Sequence, residues 1–154
     1  MRSLLDVNVL IALLDSEHSL HRAASAWLSR NTAAGWASCP LTQNGCIRIM
    51  STAGYRNSHA LPVVAARLAE ACATLLHQFW HDDISILDAQ AVNCSRVHSP
   101  RQLTDVYLLA LAVKHGGRLV TFDTAIARNA VVGDRKSTRL NSSHLRLSRM
   151  PSSA

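Results

Sequence analysis

The stretch Leu4-Leu5-Asp6-Val7-Asn8-Val9-Leu10-Ile11 decides how this chain folds. An apolar run delivers one aspartate and one asparagine, then turns apolar again. A buried β-strand ends in this way when its carboxylate emerges at the lip of a sheet. Two other acids stand in comparable settings: Asp105 in Gln102-Leu103-Thr104-Asp105-Val106-Tyr107, and Asp123 in Leu119-Val120-Thr121-Phe122-Asp123. Three carboxylates with so little basic compensation nearby read as a divalent-cation site, and the rest of the chain has to bring them together.

Working outward, Ser3–Leu5 reads as a short buried strand and Val9–Leu14 as the start of a helix that Asp15-Ser16 ends. Ser19 or Leu20 opens a second helix to about Arg30, with Ala23, Ala24, Trp27 and Leu28 at helical spacing. Trp36–Cys39 is a second strand, stopped by Pro40, and residues 41–50 form a helix. Residues 51–61 are a loop, and Pro62 suits the first turn of a helix carrying Val64, Leu68, Leu75 and Leu76. The third strand is expected at Ile84–Leu87 and a short helix at Ala89–Val92. Thr104 is positioned to cap a long helix to about His115, ended by Gly116-Gly117. Arg118–Phe122 is the fourth strand, and Ala125–Asn129 begins a further helix. Strands alternating with helices predict an α/β fold: three layers, α/β/α, around a mostly parallel central sheet.

The chain has 154 residues, enough for one domain with a real core. Its apolar runs fall far short of the roughly 20 residues a membrane span needs, and Asp6 and Asn8 interrupt any leader-like segment. Cys39, Cys46, Cys72 and Cys94 show no metal-binding or disulfide spacing, which suits a reducing cytoplasm. The net charge of +6 is unevenly placed: residues 134–154 carry +4 of it and the first 133 residues only +2. A charge argument for nucleic-acid binding by the globular part is therefore weak.

The composition changes abruptly after Gly133. Asp134–His144 resembles the translation of a widely used sequencing-library adapter, and Ser148–Ala154 resembles the adapter beyond its index. The alternative is a natural basic tail. The expected division is a domain over 1–133 and a non-native tail over 134–154, which would leave the domain without a last strand and add nothing to fold or site.

In an open α/β sheet, ligands sit beyond the carboxyl ends of the strands at a topological switch point. Asp6 and Asp123 follow strands one and four, and share that edge if those strands are neighbours. Asp105 falls in the first turn of a helix, where the dipole favours an anion. Such a cluster repels itself unless a cation is present, and oxygen ligands suit Mg²⁺ or Mn²⁺. Taken singly, each aspartate reads more readily as a cap or a surface acid; the three contexts together reverse that.

Leu5–Ile11, Thr104–Ala112 and Thr121-Phe122-Asp123 together resemble the signatures of the PIN-domain superfamily, and most of all the VapC-type toxins of bacterial toxin–antitoxin pairs. The resemblance spans about residues 2–133. It implies a Mg²⁺-dependent endoribonuclease, with Asp6, Asp105 and Asp123 as metal ligands, a homodimeric state and a small VapB-type antitoxin that blocks the site. The family usually places a glutamate on the helix after strand two, where this chain has Gln43 and Asn44. An amide at Asn44 can orient a water or supply a neutral oxygen but cannot act as a base. Asn8, Thr104 and Thr121 are candidates for orienting the acids, and Asn8 reads equally as a helix cap.

Two further readings compete. A haloacid-dehalogenase-type phosphatase would use Asp6 as nucleophile but wants a second acid where Asn8 stands, and a placed lysine where only Lys114 precedes the tail. A catalytically weak or inactive RNA-binding protein follows if Asn44 fails to replace the glutamate. His18 and His21 have no third ligand placed near them, which reads as surface histidine rather than zinc.

Overall fold

The computed structural model describes residues 1–133 and 142–144. Five short strands form one parallel sheet: β1 (Ser3–Leu5), β2 (Trp36–Ser38), β3 (His77–Phe79), β4 (Arg118–Thr121) and β5 (Ser142–His144), in the order β3-β2-β1-β4-β5. Five helices connect them: α1 (Val7–Leu14), α2 (His21–Asn31), α3 (Pro40–Met50), α4 (Leu61–Cys72) and α5 (Leu103–Lys114). Successive side chains of a strand point to opposite faces, so even strands of three or four residues feed both layers. Leu5, Trp36 and Val120 meet α1–α4 on one face, while Leu4, Ala37 and Leu119 meet α5 on the other. The expected three-layer α/β/α architecture is present.

Local chemistry sets where helices begin and end. Pro40 stops β2 and opens α3 as its first residue, where its missing N–H costs nothing, and the buried Thr42 hydroxyl completes a capping box with Cys39. At the end of α5, Gly116 adopts φ +62°. Its N–H reaches Val113 O at 3.0 Å, and the Gly117 N–H reaches Ala112 O at 2.8 Å, satisfying two terminal carbonyls in a Schellman arrangement. Gly117 is needed for a different reason. A Cβ there would collide with the Trp80 ring and stand 2.8 Å from Arg2 O.

Several sequence expectations are corrected. The third strand is His77–Phe79, not Ile84–Leu87: the Trp36 N–H takes Leu76 O and the Trp80 N–H takes Ser38 O. The apolar periodicity that extended α4 to Leu76 carries past the helix end at Cys72, because Leu75 and Leu76 are exposed in the turn to β3. Ile84 and Ile86 pack under α5 without pairing in the sheet. Ala89–Val92 is a turn fastened by the Asp88 carboxylate, and Ala125–Asn129 gives only a 3₁₀ turn at Arg128–Ala130. Thr104 caps nothing. Ser99 caps the 3₁₀ turn Pro100–Gln102 that leads into α5. Asn8 is likewise exposed inside α1, whose cap is Asp6.

β5 falls in the segment expected to add nothing to the fold, yet Ser142–His144 pairs with Leu119–Thr121. Ladder hydrogen bonds are main-chain bonds, so an open sheet edge accepts a partner whatever its side chains.

Gly116 and Gly117 give expectations of the same sign and different size. Gly116→Ala meets open space and costs about 1 kcal/mol of left-handed backbone strain. Gly117→Ala forces the Trp80 ring or the Arg2 strand to move and costs roughly 1–3 kcal/mol. Denaturant midpoints will show Gly117→Ala as the more damaging change; equal midpoints would mean that Trp80 yields freely.

Candidate metal centre at the carboxyl edge of the sheet

β1 and β4 are neighbours, with Leu5 opposite Val120, and the chain reverses its direction of travel across the sheet at this seam. A crevice at the carboxyl ends of the strands is expected there. Asp6 is the first residue past β1. Its N–H takes Val120 O at 3.0 Å, which places its side chain beside the last residue of β4, Thr121.

The buried Thr121 hydroxyl joins two acids. It donates to Asp6 Oδ2 at 2.8 Å and accepts the Asp123 N–H at 3.1 Å. Asp6 Oδ1 accepts the Val7 N–H at 2.6 Å, so this carboxylate also starts α1. Asp123 Oδ1 accepts the Ala125 N–H at 2.6 Å, which shapes the loop after β4. Asp105 is the third residue of α5 and arrives from the opposite layer.

Electrostatics show that the three acids share one field. Asp105 is pushed up to about 6, first by burial and then by the charges of Asp6 and Asp123. Burial also raises Asp6 above the ordinary carboxylate range; bonds from Thr121 and Val7 oppose the rise, and Asp123 adds to it. No lysine or arginine contributes to either shift. An all-oxygen, uncompensated cluster of this kind has the donor chemistry of a hard divalent cation. Among the described residues no three His, Cys, Asp or Glu side chains stand ready as a complete ligand set.

The remaining candidates divide. Thr121 sits at the centre of the network. Asn8 and Thr104 are exposed on the first turns of α1 and α5 and bond to none of the acids. Gln43 turns inward, its Nε2 donating to Ser38 Oγ at 2.9 Å, and Asn44 lies exposed on the next position of α3 without a hydrogen bond among the described residues. Gln102 does not stand out in the sequence as a residue of the site. Its Nε2 donates to Ala125 O and ties the start of α5 to the loop carrying Asp123. The available signal was a long amide three residues before the helical acid.

The PIN-domain family model matches residues 3–132. The chain is 51% identical over 136 residues to Ribonuclease VapC44 of Mycobacterium tuberculosis, covering 88% of this chain and 96% of that one. It is 42% identical to Ribonuclease VapC39 of the same species, over 86% and 96% of the two chains. Two solved structures share the fold. Mycobacterium tuberculosis VapC20, described as a Sarcin-Ricin loop cleaving toxin, superposes with TM-score 0.59 at 17% identity, over 86% of this chain and 98% of that one. VapBC2 from Rickettsia felis, bound to a DNA fragment from its promoter, gives TM-score 0.58 at 10% identity over the same shares. With the acids gathered where β1 meets β4, and relatives this similar over almost their whole length, the chain belongs to the PIN-domain family, among its VapC-type proteins.

Proposed function

We propose that this protein is the ribonuclease toxin of a VapBC-type toxin–antitoxin pair, and that its endoribonuclease activity depends on Mg²⁺ or Mn²⁺ held at Asp6, Asp105 and Asp123. The observation that carries the reading is the Thr121 hydroxyl holding Asp6 and the Asp123 backbone together, while both acids raise the Asp105 carboxyl. The names of the relatives support the RNA substrate and the cognate antitoxin. A homodimer and a cytoplasmic setting belong to the same proposal; among the described residues no helix is long and apolar enough to cross a membrane.

A divalent cation at such a site supplies charge for the phosphodiester oxygens and a water of lowered pKa. The chain's own residues do the rest. Thr121 fixes the Asp6 carboxylate against rotation, α1 lends its N-terminal N–H to the same group, and Ala125 holds Asp123 through its main chain. Asn44, exposed on α3, stands in for the family's glutamate as a neutral oxygen that orients water.

A second reading has an observation of its own. Asn44 replaces an acid, and the described residues offer no ready-made set of three ligands, as a catalytically weak RNA-binding relative would show. Cleavage decides between the two. A pooled tRNA and rRNA preparation will be cut with Mg²⁺ or Mn²⁺, and chelator or Asp6→Asn will abolish the cutting by at least roughly a hundredfold. RNA bound but never cut by the parent would establish the weak reading instead.

The amide gives a separate expectation. Asn44→Asp exchanges a neutral oxygen for a charged one and should tighten Mn²⁺ binding in titration calorimetry. Unchanged affinity would place Asn44 outside the site.

The raised Asp105 carboxyl fixes the sign of a pH effect. Its folded pKa of about 6 lies above the ordinary 3.8, so between these values the folded protein binds more protons than the unfolded chain. Metal-free stability therefore falls as pH rises through that window. A cation favours the charged form, so Mg²⁺ should raise the melting temperature more at pH 7 than at pH 5. An equal rise at both values would detach Asp105 from metal binding.

A further inference from the structure

Two irregular segments flank the acidic cluster, one leading into Asp105 and the other following Asp123. They are fastened to each other along their length. Asn93 N–H donates to Ala130 O at 2.7 Å, Val132 N–H to Ala91 O at 2.9 Å, and Val92 bridges Val131 in antiparallel fashion. Side chains add two more ties, Arg96 Nη1 to Asn129 O at 3.1 Å and Gln102 Nε2 to Ala125 O. The inner side of this ribbon, with Val92, Ile126, Ala130 and Val131, is buried in the core that α5 shares.

Its outer side has one sign of charge. Residues 89–104 contain Arg96 and Arg101 and no acid, and residues 124–133 contain Arg128 and no acid. All three arginines are exposed. Arg96 is anchored through Nη1, and the residue is exposed. The Arg101 side chain makes no hydrogen bond or ion pair among the described residues, although it precedes Asp105 by one helical turn. The domain as a whole is nearly neutral, so this concentration is local. An acidic cluster repels a polyanion, and a nuclease needs fixed cations beside it to hold the backbone across the site. Planar guanidinium forks on a pinned backbone suit phosphate oxygens.

We propose that the ribbon formed by residues 91–102 and 125–132 is an RNA-backbone grip, in which Arg96, Arg101 and Arg128 bind phosphates next to the bond that the acidic cluster cuts. The proposal rests on the ribonuclease reading and adds to it the surface on which the substrate lies.

The test uses the full chain in chelator, with anisotropy of a fluorescein-labelled RNA hairpin read across a salt series. One variant carries Arg96→Gln, Arg101→Gln and Arg128→Gln. A charge-matched control carries Arg22→Gln, Arg30→Gln and Arg67→Gln, three exposed positions on α2 and α4. The basic residues beyond Gly133 are present in every protein and cancel. Each lost phosphate contact removes about 0.7–0.9 from the slope of log affinity against log salt, so the ribbon variant should lose about 2–3 while the control keeps the parent slope. Equal losses in both triples would overturn the grip, since overall charge would then explain the binding. Unchanged RNA affinity with lost retention of polyglutamate would also overturn it and assign the ribbon to an acidic protein. A parent that binds no RNA would instead bring down the ribonuclease reading beneath it. Should the triple fail to fold, Arg101→Gln alone removes a side chain with no partner among the described residues. Its expected slope loss is about 0.7–0.9, and an unchanged slope overturns the proposal.

Discussion

Parallel pairing of β1 with β4 is the constraint on which the rest of the molecule depends. It joins residues that lie 115 positions apart, and it does so through only three opposed pairs, Ser3 with Arg118, Leu4 with Leu119 and Leu5 with Val120. Such short strands hold register because β1 and residues 119–121 of β4 are buried on both faces, so a one-residue slip would exchange the side chains of two different cores. Around this seam the Arg118 guanidinium donates to Ser3 Oγ at 2.9 Å and to Asn31 Oδ1 at 2.6 Å, which fastens the opposite end of both strands. One end of the seam is thus locked by neutral partners and a cation, while the other gathers carboxylates.

That asymmetry explains why the acids tolerate each other. Thr121 and two main-chain N–H groups neutralise part of the repulsion by donating to Asp6 and Asp123. Asp105 has no such donor among the described residues, and its carboxyl is pushed up to about 6, first by burial and then by the charges of Asp6 and Asp123. The cluster is therefore unequal by construction: two acids are fixed by the fold, and the third stays responsive to whatever charge enters.

The acids, the strand ends that present them and the α/β class were legible because each rests on a short local pattern. An apolar run ending in aspartate announces a buried strand and its lip. The third strand was not legible, because His77-Gln78-Phe79 is an edge strand whose residues are largely exposed and show no apolar alternation. Ile84 and Ile86 look like a strand for the opposite reason: they are apolar and alternate, yet they serve as packing for α5. Thr104 looks like a cap in the sequence, but the helix is entered through a 3₁₀ turn, which moves the capping duty back to Ser99. The ribbon beside the site was invisible in the sequence, since its ties run mostly between main-chain atoms about 40 residues apart.

The long span of the β1–β4 seam also governs when the centre can exist during synthesis. β1, α1 and Asp6 leave the ribosome well before residues 118–121, the strand that completes their edge, and Asp123 follows that strand. Contacts of such high sequence separation form late, because the closure entropy of the intervening chain must be met before they reward it. A nascent chain that has not yet reached Asp123 carries Asp6 without its hydroxyl partner and without its neighbouring acids. The acidic cluster therefore assembles only after residues 118–123 have been made, however early β1 and α1 take shape.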